Sequence, residues 1–127
     1  MPEPLVLIVD DNELNVRLAR DVLGFAGFRT IEAGTGADAI RLATEELPDL
    51  VLMDIRLPDM EGTNALGKLR EDDRTATIPV VALTSFAMMG DRERFLAAGF
   101  DGYLEKPINV RDFPGQVRSF CRTAQEG

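Results

Sequence analysis

Three short aliphatic runs set the tightest limit on what this chain can fold into: Leu5–Val9 (LVLIV), Leu50–Met53 (LVLM) and Pro79–Leu83 (PVVAL). None alternates apolar with polar residues, so each predicts a strand covered on both faces, as in a parallel sheet flanked by helices. Arg29–Ala33 and Asp101–Leu104 are weaker strand candidates, placed by the rhythm of the chain. Helix-period stripes fill the gaps: Leu14, Leu18, Val22 and Phe25; Ala39, Ile40, Ala43 and Leu47; Ala65, Leu66 and Leu69; Phe95 and Leu96, ended by Gly99; Val110, Phe113, Val117 and Phe120. Strands and helices alternating in this way predict an α/β fold, a doubly wound sandwich around a parallel sheet. Phe25, Phe28, Phe113 and Phe120 read as core or helix-packing residues, and the run REDDRT from Arg70 as a solvated helix end. Pro114-Gly115 interrupts the last pattern. Either Asn109 caps a helix with Pro114 one turn in, or Asp112 is the cap and the helix starts near Phe113.

Composition narrows the function. The 127 residues suit one domain, 1–127, and the net charge of -8 argues against a nucleic-acid surface, which needs Lys and Arg to displace counterions. No apolar run approaches the ~20 residues of a membrane span. The start MPEPLV lacks the basic residues of a signal peptide, so a cytoplasmic location is expected. The lone Cys121 has no partner for an internal disulfide. With no His and one Cys, zinc sites and His-based triads have no ligands to draw on.

In a parallel sheet every strand delivers its C-terminal end to the same edge, where ligands bind. Asp10 and Asp11 follow the first strand, Asp54 the third, Thr84 and Ser85 the fourth, and Lys106-Pro107 the fifth. Adjacent carboxylates repel, so the cluster needs a cation or raised pKa values. All-oxygen ligation suits Mg²⁺, which keeps several waters and often joins a phosphate. Lys106 and Thr84 offer a point charge and a hydroxyl donor to a phosphoryl group. A carboxylate can itself attack phosphorus, and Asp54, central in the sheet, is the best-placed nucleophile. Singly, each feature has a plainer reading: Asp10-Asp11 as a helix cap, Asp54 as a loop acid, Thr84 as structural, Lys106-Pro107 as a turn, Tyr103 as a half-buried strand aromatic. Met88-Met89 is either a loop or a soft binding surface. It is the joint placement at four strand ends that favours a site.

The segments VLIVDDNELN, PDLVLMDIRLPDMEG, IPVVALTSFA and AAGFDGYLEKPI resemble, in order and spacing, the receiver domain of two-component response regulators, the CheY-like family. The resemblance covers almost the whole chain. It implies a (βα)5 sandwich with strand order 2-1-3-4-5. It also implies that Asp54 is the phosphoacceptor, supplied by a phosphohistidine on a sensor histidine kinase or phosphotransfer protein. Asp10, Asp11, Asp54 and the backbone carbonyl of Arg56 would hold Mg²⁺. Thr84 and Lys106 would bind phosphoryl oxygens, the bond before Pro107 would be cis, and Tyr103 would be the switch aromatic on an α4-β5-α5 face read by a downstream protein effector.

Two other readings compete. A Mg²⁺-dependent phosphatase of the haloacid-dehalogenase kind needs a second Asp two residues after its nucleophile, where this chain has Arg56. A flavodoxin-like carrier needs a phosphate cradle where this chain has the acidic DDNELN. A receiver that has lost phosphate acceptance is disfavoured, because the required side chains are all present. The Met start and short RTAQEG tail favour a stand-alone regulator over a receiver excised from a hybrid kinase or larger regulator. Arg56 and the bulky Phe86 flank the site, and slow self-dephosphorylation is expected from them.

Overall fold

The computed structural model describes residues 3–84, 91–106 and 108–121. Among the described residues ten elements alternate: β1 (Leu5–Val9), α1 (Glu13–Phe25), β2 (Arg29–Ala33), α2 (Gly36–Glu46), β3 (Leu50–Asp54), α3 (Gly62–Glu71), β4 (Val80–Thr84), α4 (Asp91–Ala98), β5 (Gly102–Glu105) and α5 (Phe113–Phe120). All pairings are parallel and the sheet order is β2-β1-β3-β4-β5. β1 and β2 have the expected bounds. The other three each run one residue further toward the C-terminal edge, and β4 and β5 also begin one residue later than expected.

Side chains alternate between two cores. Leu7, Val9, Val51, Met53, Val80 and Ala82 point to one face and pack with Ala39, Ala43, Ala65, Leu66, Leu69, Phe95 and Phe100, from α2, α3, α4 and the residues after α4. Val6, Ile8, Leu50, Leu52, Val81, Leu83 and Leu104 point to the other, against Val16, Ala19, Leu23, Phe113 and Val117 of α1 and α5. Burial on both faces is why these strands show no polar alternation. β2, at the edge, is only partly covered and reads weakly for the same reason.

The face of α1 differs from the expected stripe. Leu14 is 73% exposed and Phe25 97%, whereas Val16, Ala19 and Leu23 are buried. At about 100° per residue the two stripes are offset by about 140°, and Val22 of the expected stripe still packs, partly buried, against the same core. The buried one contains Ala19, whose small side chain lets the helix approach the sheet. Leu47 (47% exposed), Leu96 (43%) and Val110 (56%) also sit further out than expected, while Phe28 and Phe113 are buried and Phe120 partly so.

Local chemistry explains the helix ends. Asn12 caps α1, its Oδ1 accepting from the N–H groups of Leu14 (3.0 Å) and Asn15 (3.2 Å). α5 begins at Phe113, as the second of the two readings has it, but the Asp112 side chain makes no capping hydrogen bond; Pro114 falls in the first turn, where no N–H is needed. Asn109 instead closes the turn before the helix, accepting from the N–H groups of Arg111 and Asp112 on its side chain and of Phe113 on its carbonyl.

The run REDDRT at the end of α3 is solvated only in part: Glu71, Asp73 and Arg74 are exposed, whereas Arg70 and Thr75 are tied inward. Arg70 donates to the carbonyls of Ala76 (3.1 Å), Ile78 (2.7 Å) and Gly99 (3.2 Å) and to Asp101 Oδ2 (2.9 Å). The same Asp101 oxygen accepts from the Val80 N–H at 2.8 Å. Thr75 is buried and donates to the Leu69 carbonyl at 2.6 Å. One guanidinium therefore ties the end of α3 to the starts of β4 and β5 and to the end of α4.

Candidate functional site

Because all five strands run the same way, the residues ending β1, β3, β4 and β5 meet at one edge. Asp11, Asp54, Arg56, Thr84 and Lys106 line a single cleft there, together with Ile55, Arg94 and Phe95. Carboxylate oxygens of Asp10, Asp11 and Asp54 all lie within 4.8 Å of one another, a set that could hold a metal ion.

The plainer reading of the acid pair fails on geometry. Asn12 does the capping of α1, leaving Asp11 exposed at the rim of the cleft. Asp10 is buried; its Oδ1 accepts from the Asn12 N–H at 2.9 Å. Its Oδ2 is 2.7 Å from Lys106 Nζ without the alignment of a hydrogen bond. One ammonium against two of three clustered carboxylates leaves negative charge uncompensated, and a cation shared by the three would relieve it.

Asp54 terminates the central strand. Its Oδ1 accepts from the Arg56 N–H at 3.2 Å and its Oδ2 from Lys106 Nζ at 3.1 Å. Burial raises its pKa, and the Asp10 charge adds to this; the Arg56 N–H and the Lys106 ammonium pull the other way. In the fold, therefore, the ionised form of Asp54 is disfavoured relative to the unfolded chain, and a drop in pH toward its titration relieves that cost. For Lys106 burial lowers the pKa, but the Asp10 and Asp54 carboxylates more than offset it and the net shift is upward.

The turn after β3 is tightly built. Arg56 pairs with Glu61 in an antiparallel bridge, and the Gly62 N–H donates to the Ile55 carbonyl at 2.6 Å. A Cβ on Gly62 would stand 2.4 Å from the Asp54 carbonyl oxygen, so only glycine lets α3 start this close to the acid. Thr84 is buried, and its carbonyl accepts from the Lys106 N–H at 2.8 Å, which holds Lys106 in line with the sheet.

Tyr103 is not in the acidic cleft. It lines a separate groove with Leu96, Glu105, Asn109, Gln116 and Phe120, between α4, β5 and α5. Phe95 touches both regions, lining the cleft while its ring centroid lies 6.2 Å from that of Tyr103. Arg94, also on the cleft wall, was not singled out in the sequence, where a single arginine in the charged stretch DRER carries no distinguishing signal. Ser85, Phe86, Met88, Met89 and Pro107 with its preceding peptide bond lie outside the described residues.

The family model described as Response regulator receiver domain matches residues 6–118. The chain belongs to the response regulator receiver family. This receiver domain is 45% identical over 119 residues to the polar-differentiation response regulator DivK of Brucella anthropi, across 94% of this chain and 97% of that protein. Among solved structures it is similar to a CheY-like receiver domain protein of Methanospirillum hungatei, with a TM-score of 0.85, 29% identity and 98% of each chain covered. It is also similar to the receiver domain of a Pseudomonas aeruginosa sensor histidine kinase with a magnesium ion coordinated in its active-site cleft. There the TM-score is 0.84 and the identity 32%, over 93% of this chain and 97% of that one. Across the described residues of this receiver domain, no helix is long and apolar enough to cross a membrane.

Proposed function

We propose that Asp54 is the phosphoacceptor of this receiver domain and that the domain stores a signal as an aspartyl-phosphate. The observation that carries the reading is the packing of three carboxylates within 4.8 Å, with one ammonium against two of them. Of the three acids, Asp54 is suited to attack. Asp10 is buried behind the cleft and Asp11 sits at its rim, whereas Asp54 faces the cleft beside Thr84 and Lys106. A carboxylate oxygen of Asp54 forms the new bond to phosphorus, and the bond from phosphorus to the donor nitrogen breaks with its electron pair leaving on the imidazole.

The acids are fitted to a hard divalent cation. Asp10, Asp11, Asp54 and the backbone carbonyl of Arg56 would hold Mg²⁺, which supplies charge neutralisation to an incoming phosphoryl group. The magnesium in the Pseudomonas aeruginosa receiver domain supports that choice. Lys106 and the Thr84 hydroxyl receive the phosphoryl oxygens. A phosphoryl group adds charge and acceptor oxygens where a compact carboxylate stood, so Thr84 and Lys106 gain partners. Phe95, in contact with both cleft and Tyr103, gives that change a route to the groove between α4, β5 and α5. There a downstream protein reads it by population shift.

The donor is a phosphohistidine on a sensor histidine kinase or phosphotransfer protein, since this chain has no His. The chain acts as one domain, 1–127, in the cytoplasm. It undergoes at most self-catalysed phosphotransfer and dephosphorylation: Arg56 stands where a phosphatase of the haloacid-dehalogenase kind places its general acid.

Intact-mass measurement with an acyl phosphate donor and Mg²⁺ tests the reading. The expected result is uptake of a single phosphoryl group per chain, abolished by a chelator, with no turnover of phosphate monoesters. Sustained phosphate release from monoesters contradicts it.

A further inference from the structure

The turn that follows Asp54 is held from outside by an acid that the phosphoryl chemistry does not use. Asp59, at the tip of the turn, accepts from the Gly36 N–H on Oδ1 at 2.8 Å and from the Ala37 N–H on Oδ2 at 3.0 Å. These are the first two amides of α2, which helix geometry leaves without intrahelical acceptors. The third, Asp38, is satisfied by the Thr35 hydroxyl at 3.1 Å. Of the first three amides of α2, one is thus capped by the adjacent Thr35 and two by Asp59, 22 and 23 positions away. Both N–H bonds favour the charged carboxylate and hold the pKa of Asp59 below the usual range.

The neighbouring residue reinforces the join. A Cβ on Gly36 would fall 2.5 Å from Cγ and Sδ of Met60, so the Met60 side chain lies directly on the glycine. Within the turn, Leu57 donates to the Met60 carbonyl at 3.2 Å. α3 has no side-chain cap of its own; its start is held by backbone bonds, the Gly62 N–H to the Ile55 carbonyl among them. Asp59 and Met60 together dock the tip of the turn on α2, while Gly62 pins its base against Asp54.

We infer that Asp59 is a positioning residue for the acidic site: it holds the turn so that the Arg56 carbonyl is presented to the carboxylate cluster before any cation arrives. The inference rests on the proposed metal reading of that cluster. Its physical basis is preorganisation. A turn free to sample other conformations must be ordered when the cation binds, and that entropy cost weakens binding. Groups that orient a ligand without touching the metal commonly change affinity by about 10- to 100-fold.

The test compares Asp59→Ala with Thr35→Ala, each removing part of the same helix cap but only one of them touching the turn. Mg²⁺ is titrated into each protein and followed by backbone amide shifts, and amide exchange at Arg56 and Gly62 is measured without metal. Asp59→Ala is expected to weaken Mg²⁺ binding about tenfold and to speed exchange at Arg56 and Gly62, with Thr35→Ala matching the natural chain in both. Equal effects of the two variants, or none from Asp59→Ala, overturn the inference, because α2 capping alone then accounts for Asp59. Should Asp59→Ala not fold, Asp59→Asn, which keeps one acceptor oxygen, replaces it in the same comparison. Failure of the natural chain to bind Mg²⁺, or binding unchanged by Asp11→Asn and Asp54→Asn, is a failure of the metal reading. The metal-free exchange comparison decides on Asp59 in either case.

Discussion

Replacing Lys106 by methionine is expected to lower the stability of the metal-free domain by about 3 kcal/mol, the low end for breaking a buried ion pair. The Lys106 side chain is 11% exposed, and the Asp10 and Asp54 side chains it faces are 2% and 13% exposed, so solvent screens little of the interaction. Without it, three acids still lie within 4.8 Å of one another, and Asp10 and Asp54 lose the ammonium they share. Denaturant unfolding in chelator measures the loss, and saturating Mg²⁺ is expected to restore part of it. The pH dependence has a definite sign. The folded-state pKa of Lys106 lies above its ordinary 10.5, so the stabilisation is fully present below that value and is lost as the pH rises through the folded pKa. The gap between natural chain and variant should be flat around neutrality, close in strong alkali as Lys106 loses its proton, and narrow in acid as Asp54 gains one. A gap that closes near neutral pH, or no gap in chelator, would contradict the role given to Lys106.

Arg70→Ala is expected to be the most damaging change away from the site, at about 3 kcal/mol. It strands the carbonyls of Ala76, Ile78 and Gly99 and leaves Asp101 without its cation. A lost charged hydrogen bond is worth about 1.5–3 kcal/mol, and a buried carbonyl left unpaired adds to that. Solvent moderates the sum, since the Arg70 side chain is 28% exposed and Asp101 46%. Denaturant unfolding again provides the measurement, with Arg70→Lys as the comparison: a point charge cannot reproduce the fork of donors, so lysine should recover less than half. A loss below about 1 kcal/mol would mean that water replaces these bonds at little cost.

Much of the fold could be read from the chain because the strands are buried on both sides. LVLIV and LVLM have no other reasonable environment, and once they are strands of a parallel sheet their C-terminal ends must share an edge. The acids, Thr84 and Lys106 were legible for that reason: each follows a different strand, and the topology does the gathering. α1 is legible only in part: Val22 of the expected stripe packs against the core, but packing against the sheet selects Val16, Ala19 and Leu23 over Leu14 and Phe25. Phe25 illustrates the same limit, a large aromatic left 97% exposed at a helix end.

Residues whose roles depend on distant partners could not be read locally. Asp59 looks like an ordinary turn acid until Gly36 is placed beside it. Arg70 looks like a solvated helix end until Gly99 and Asp101, some 30 residues on, close over it. Asn12 is the opposite case, a cap residue at a helix start with a local signature, overlooked beside the more conspicuous acid pair.

The central claim is that Asp54 carries the signal, and phosphotransfer from a phosphohistidine donor tests it most directly. A phosphorylated histidine kinase or phosphotransfer protein is mixed with the natural chain and with Asp54→Asn in Mg²⁺, and the acceptor is analysed by intact mass and peptide mapping. The account predicts one phosphoryl group on the natural chain, located at Asp54, and none on the variant. Label that persists in Asp54→Asn, or that maps to Asp10 or Asp11 in the natural chain, would contradict it.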